Sequence, residues 1–242
     1  MPIENSVHIK GKRNVKRYYK IEHTYMKTAD TAFVNLIINE FIQRGAVSKK
    51  DRIMEIGSGY GRFSIPIIER GYKIILSDVV DEILEKSKKN LENKGMKNKI
   101  VYFDVLDSNK NSGNKFDIIC GFHVLHHIDD LEKAFTNMYS NLSDTGKIIF
   151  VEPNPINPLY YIQILIIKEM QWKEERGILD MRNSYLLPLL KRCGFKKIEI
   201  SKFGFFPNFL VNTKLGTSAE KVVNRIRYNP FGLYKLIIAR KD

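Results

Sequence analysis

The chain has 242 residues, with 40 Lys and Arg against 27 Asp and Glu and 43% hydrophobic residues, which excludes a disordered or fibrous polymer and gives enough chain to bury a sizeable core. Two cysteines, Cys120 and Cys193, exclude a disulfide framework. No secretory signal and no apolar run of the roughly 20 residues that cross a bilayer is visible, so the expectation is a soluble cytoplasmic protein whose formal net charge of +13 favours anionic partners.

The basic excess is concentrated once, at Lys10, Lys12, Arg13, Lys16, Arg17 and Lys20, with Tyr18 and Tyr19 among them. Cations beside aromatic rings suit a nucleic-acid backbone and its bases; a solvated lysine-rich surface is the competing reading. Asp30 to Arg44 reads as a helix, because Phe33, Ile37 and Phe41 recur at i, i+4 and i+8. Residues 1–45 are expected to form a helical cap over a ligand pocket.

Short apolar runs then alternate with helical stretches, the pattern of a sheet covered by helices on both faces. Strands are expected at Ile53 to Ile56, Lys73 to Ser77, Ile100 to Phe103, Phe116 to Phe122 and Lys147 to Glu152. Helices are expected at Tyr60 to Arg70 and at Asp81 to Lys94, the latter closed by Gly95. After a proline-rich corner at Pro153, Pro155 and Pro158 comes an apolar stretch, Leu159 to Trp172. Ser184 to Arg192 reads as a helix despite Pro188, Lys196 to Ser201 and Leu233 to Ala239 as strands, and Thr217 to Tyr228 as a helix. One α/β domain over 1–242 is expected, with 154–182 and 203–230 as insertions around an acceptor pocket.

The sharpest local signal is Glu55-Ile56-Gly57-Ser58-Gly59-Tyr60-Gly61 directly after the first strand. Glycines at a strand-to-helix turn allow tight backbone geometry and close approach of a ligand. The spacing is G-x-G-x-G, and Arg62 stands where a dinucleotide fingerprint has its third glycine. Asp78 follows at the tip of the second strand, 21 residues after Gly57, where a carboxylate can accept from both hydroxyls of a ribose. Asp104-Val105 follows the third strand, and that pair can serve an adenine through a carboxylate and a backbone N–H. A strand-end cap is the plainer alternative for Asp104.

The run Ile53 to Arg62 resembles motif I of the class I S-adenosylmethionine (SAM)-dependent methyltransferases. Asp78 and Asp104 match the acidic residues after their second and third strands. Phe116-Asp117-Ile118-Ile119, followed by Val124-Leu125-His126-His127-Ile128, is similar to their motif IV and the segment beyond it. The resemblance is densest over Asp51 to Pro153, and it specifies cofactor and fold rather than acceptor. It implies a Rossmann-like, doubly wound sheet of seven strands with the last antiparallel. It also implies that Glu55, Gly57, Ser58, Gly59 and Gly61 hold the methionine end of SAM. Asp78 and Val79 would then take the ribose, Asp104 and Val105 the adenine, while Gly121 and Phe122 line the methyl-donor centre. S-adenosyl-L-homocysteine would be the product.

Transfer from a sulfonium needs alignment and exclusion of water, and a base only where the acceptor must lose a proton. His123, His126 and His127 fall where the family places the pocket wall. On a helical turn they would share one face, and any of them is a candidate general base. A packing role for Leu-His-His-Ile is the competing reading. A metal-dependent quinol O-methyltransferase subgroup carries E-x-x-E-H at closely similar positions. Histidines stand here in place of those carboxylates, so no metal is expected.

The segment Leu159 to Trp172, together with Phe203, Phe205, Phe206 and Phe209, points to an aromatic or lipophilic acceptor, or to contact with a membrane surface. Gly121-Phe122-His123-Val124 differs from the [N/D]-P-P-[Y/F] of enzymes that methylate adenine or glutamine nitrogen. Cys120 is followed by glycine, so a Pro-Cys nucleophile for cytosine is absent. The leading expectation is methylation of a small, aromatic, lipophilic or sugar-derived acceptor, O- ahead of N-. An RNA methyltransferase using the basic segment and a non-catalytic SAM- or nucleotide-binding partner subunit are the alternatives.

Overall fold

The computed structural model describes residues 31–97, 99–107, 115–167, 170–223, 229 and 231–242; the basic segment with Tyr18 and Tyr19 lies outside them. Seven strands form one sheet: β1 (Ile53–Glu55), β2 (Ile74–Asp78), β3 (Ile100–Tyr102), β4 (Phe116–Phe122), β5 (Leu142–Pro153), β6 (Lys197–Phe203) and β7 (Tyr234–Arg240). Their order is β3-β2-β1-β4-β5-β7-β6. The first five are mutually parallel, and β7 runs antiparallel to both β5 and β6. This is the Rossmann-like sheet with an antiparallel last strand that the resemblance implied.

Alternation along the buried strands builds a core on each face. Ile118, Cys120 and Phe122 of β4 point to one side with Ile149, Val151, Leu236 and Ile238. Ile119, Ile148, Phe150, Ile237 and Ala239 point to the other. Helix α1 (Ala32–Gly45) covers the first side with Phe33, Ile37, Ile38 and Phe41. Its N-terminus is capped by Thr31, and Lys147 Nζ donates to the Gly45 and Ala46 carbonyls at its other end, satisfying acceptors that the last turn leaves open. Helices α2 (Ser64–Glu69) and α3 (Asp81–Glu92) follow β1 and β2.

Helix α4 (Leu131–Asn141) packs Leu131, Ala134, Phe135 and Met138 against the second face, with Asp130 accepting from the Lys133 N–H as its cap. The later elements are α5 (Pro158–Ile166), α6 (Trp172–Glu175), a 3-10 stretch over Arg176–Met181, α7 (Asn183–Arg192), α8 (Asn208–Val211) and α9 (Lys214–Val223).

Two expectations need correction. The helix expected from Tyr60 starts only at Ser64, because Gly57, Gly59 and Gly61 all take positive φ and the turn runs on through Phe63. The last expected helix starts at Lys214, and residues 224–228 of its expected span lie outside the described residues.

Candidate active site

In a sheet of this order, the crevice opens at the carboxyl ends of β1 and β4, where the direction of strand succession reverses. The glycine turn follows β1 at this edge. Ser58 N–H donates to the Ser77 carbonyl at 2.9 Å and Gly59 N–H to the Asp78 carboxylate at 3.1 Å, which ties the turn to the tip of β2. The other Asp78 oxygen accepts from the N–H groups of Val79 and Val80 at 2.8 and 3.2 Å. Burial raises the Asp78 carboxyl to about 6, with the three backbone donors opposing.

Glu55 lies beneath the turn, where its carboxylate accepts from the Ser64 hydroxyl at the start of α2. Burial raises it to about 8, against the Ser64 bond and with Asp78 adding to the rise. The turn itself, with Gly57, Gly59 and Val79, stays partly open to solvent.

Asp104 is buried past β3 and accepts from the Leu106 N–H at 3.0 Å, while the Val105 carbonyl accepts from Asn137 at 2.8 Å. Gly121 leaves no room for a side chain, since a Cβ there would come 2.5 Å from Val124 and 2.7 Å from the Phe150 ring. Phe122 stacks on Phe63 at 4.6 Å and meets the edge of Phe41 at 5.2 Å. The glycine turn, Asp78, Asp104 and Gly121 thus come together along one edge of the sheet, at the ends of β1, β2, β3 and β4.

The three histidines do not share a helical face. His123 has a φ of +55°, a left-handed conformation uncommon outside glycine and one that clusters at functional sites. Its N–H donates to the Val151 carbonyl at 2.8 Å. Its ring lies 6.0 Å from Phe63 and 5.6 Å from Tyr234, at the start of β7. The Arg62 guanidinium lies over Phe33 and Phe63 at 5.2 and 5.5 Å. Burial first, opposed by Glu152 and assisted by His126 and Arg62, lowers His123 to about 4, so its ring is neutral at pH 7.

His126 and His127 instead form a 3-10 turn, Leu125–His127. Glu152, fully buried near the end of β5, organises it. One of its oxygens accepts from Val124 N–H and Leu125 N–H at 2.9 and 2.8 Å, and the other lies 2.6 Å from His126 Nδ1. On the far side, His126 Nε2 is 3.3 Å from Glu175, which also accepts from the Tyr160 hydroxyl at 2.5 Å. Burial alone would lower His126; the two carboxylates overcome it and raise it to about 9. Both ring nitrogens of His126 are committed to carboxylates, which leaves it no lone pair for a general base. His127, half-buried, has Nδ1 3.3 Å from the Glu174 carbonyl.

Arg62, Glu152, Tyr160, Glu175 and Tyr234 escaped the sequence reading. Glu152 stands near the end of an apolar strand just as Asp78 does, and the same argument finds it. Glu175 lies in a polar stretch with nothing local to distinguish it.

A family model described as a methyltransferase domain matches residues 27–200. A ubiquinone/menaquinone biosynthesis C-methyltransferase of Francisella tularensis is 32% identical over 124 residues, covering 49% of each chain. A ubiquinone biosynthesis O-methyltransferase of Rickettsia canadensis is 21% identical over 164 residues, covering 64% of this chain and 69% of the relative. The chain therefore spans about half the length of the first of these relatives. A solved structure of a SAM-dependent methyltransferase from Thermotoga maritima superposes with a TM-score of 0.60 at 18% identity, covering 87% of this chain and 96% of that one.

Proposed function

Because the chain belongs to the SAM-dependent methyltransferases of the methyltransferase-domain family, matched over residues 27–200, we propose that it methylates a hydroxyl of a small lipophilic acceptor, with His123 as the general base. The observation that carries this reading is the place of His123: an imidazole held at a φ of +55° just past the end of β4, with its ring 5.6 Å from that of Tyr234.

The residues along the strand ends fit SAM. Three glycines at positive φ make a turn partly open to solvent, and carboxylates stand at the ends of β2 and β3. Glu55, Gly57, Ser58, Gly59 and Gly61 are assigned to the methionine end. Asp78 and Val79 take the ribose, Asp104 and Val105 the adenine, and Gly121 and Phe122 the neighbourhood of the sulfonium. When bound, SAM supplies an activated methyl group. The protein's own work is to align the acceptor, to exclude water with Phe63, Phe122 and Tyr234, and to take the hydroxyl proton at His123.

A lipophilic acceptor is supported by the surface of α5, where Ile162, Leu165 and Ile166 are 45%, 85% and 75% exposed, and such apolar patches mark contact surfaces. Leu159 and Trp172 extend the patch, which suits transient contact with a membrane carrying the acceptor. No helix among the described residues is long and apolar enough to cross one. The RNA alternative depends on residues 10–20, outside the described residues. The test is a screen of phenolic, catecholic and lipid-linked hydroxyl acceptors with methyl-labelled SAM. Transfer to oxygen that depends on His123 supports the reading, and transfer to nitrogen or RNA alone overturns it.

A further inference from the structure

We propose that His126, His127 and Glu175 form a binding site for one divalent transition-metal ion. One ring nitrogen from each histidine and one Glu175 oxygen all lie within 4.8 Å of one another. His126 Nε2 and Glu175 Oε2 are already 3.3 Å apart. Ligands bonded at about 2.0–2.1 Å around a tetrahedral ion lie roughly 3.3 Å from each other, so the rest of the set, within 4.8 Å, has at most about 1.5 Å to close.

The surroundings hold each donor as metal sites hold theirs. A metal-bound histidine gives its other ring nitrogen to a carboxylate or backbone carbonyl, which fixes tautomer and orientation. His126 Nδ1 is paired with Glu152 at 2.6 Å, and His127 Nδ1 faces the Glu174 carbonyl at 3.3 Å. Each pairing engages Nδ1, and Nε2 is the nitrogen assigned to the ion. The Tyr160 hydroxyl orients the Glu175 carboxylate in the same way. Coordination replaces the proton that His126 otherwise shares with Glu175.

The two segments that carry the donors are also fixed to each other. Gly177 packs against the His126 carbonyl so closely that no Cβ fits between them, which holds the 3-10 turn against the stretch beginning at α6. His126 and Glu175 are buried, while His127 is partly exposed and opens the set to solvent. This set differs from E-x-x-E-H: His123 is outside it, and its carboxylate comes from the segment after β5. Two imidazoles and one carboxylate select zinc, iron, cobalt or nickel over magnesium or calcium, and three protein ligands leave a position for water or an acceptor oxygen. The expectation of no metal weighed only the loss of that pattern's two carboxylates, at positions 123 and 126. Histidine is itself the ligand for these softer ions.

The test is titration of chelator-treated full chain with Co2+ alone, followed by visible absorption, and with Zn2+ alone by calorimetry. One ion per chain is expected, with His127→Ala and Glu175→Gln each weakening it at least tenfold and His123→Asn leaving it unchanged. Circular dichroism of each variant verifies that it is folded, and Glu175→Gln keeps the volume and the Tyr160 contact should His127→Ala fail to fold. Absence of uptake by the folded wild-type chain overturns the site. So does uptake that both substitutions leave intact, which would place the ion elsewhere.

Discussion

The Asp78 carboxylate accepts a hydrogen bond from the Gly59 N–H at 3.1 Å, so the side chain assigned to the ribose also closes the turn assigned to the methionine end. Removing it outright would confound the two roles, and Asp78→Asn is the cleaner variant. It keeps the volume and weakens acceptance from a diol. SAM affinity is expected to fall roughly tenfold, about 1.4 kcal/mol, in a calorimetric titration. Unchanged affinity would remove Asp78 from the ribose site.

With Asp78 in the proposed ribose site, SAM binding is expected to depend on pH. Burial holds Asp78 at about 6, and a ribose diol needs the ionised form to accept two bonds. Affinity is therefore expected to weaken as pH falls through 6 and to level off above it. Titrations at pH 5, 6, 7 and 8 trace this curve, and a flat profile would contradict it.

Glu55 gives a separate effect on the ligand-free protein. Its folded value of about 8 lies above its ordinary 4.5, so the folded state binds the proton more tightly than the unfolded chain. That contribution is complete below pH 4.5 and is lost as pH rises through 8. Urea midpoints are expected to show this decline between about pH 5 and 8, and Glu55→Gln to flatten it.

His123→Asn keeps a residue that tolerates positive φ while removing the imidazole. For a hydroxyl acceptor the turnover number should drop by on the order of 10²–10⁴, with SAM affinity within about twofold of wild type. An acceptor that needs no deprotonation would be spared. Full retention of oxygen methylation in steady-state kinetics would leave His123 a packing residue.

Gly177→Ala should destabilise the fold by about 1–3 kcal/mol, the usual cost of forcing a methyl into closed packing, because the His126 carbonyl occupies the space. Denaturant unfolding measures the loss. A neutral result would mean that the stretch after α6 moves away readily from the 3-10 turn.

Much of this was legible because strands buried on both faces read as continuous apolar runs. Phe116–Phe122 emerged with its ends intact, and the glycine spacing located the turn. Helix α4 is not among the expected elements, although Leu131, Ala134, Phe135 and Met138 carry its period, because Glu132, Lys133, Thr136 and Asn137 between them interrupt any apolar run. Spacing at i, i+3 and i+4 suggested one helical face for His123, His126 and His127. The backbone instead breaks at His123, and Glu152, 26 residues beyond His126, sets the turn that follows. The contacts of Glu175 and Tyr234 depend on how β5, α6 and β7 return to this edge, which no short stretch of sequence encodes.

The reversed direction of β7 has a practical side. Tyr234, its first residue, stands beside His123, while Arg240 ends the strand about 20 Å away at roughly 3.4 Å per residue. Lys241 is anchored there, its N–H donating to the Gly146 carbonyl and its ammonium lying 4.5 Å from the centre of the Tyr139 ring. A fluorophore or immobilisation tether attached at Asp242 therefore hangs from the far rim of the sheet. The molecule can be fixed to a sensor surface by that rim with its chemistry facing the solution.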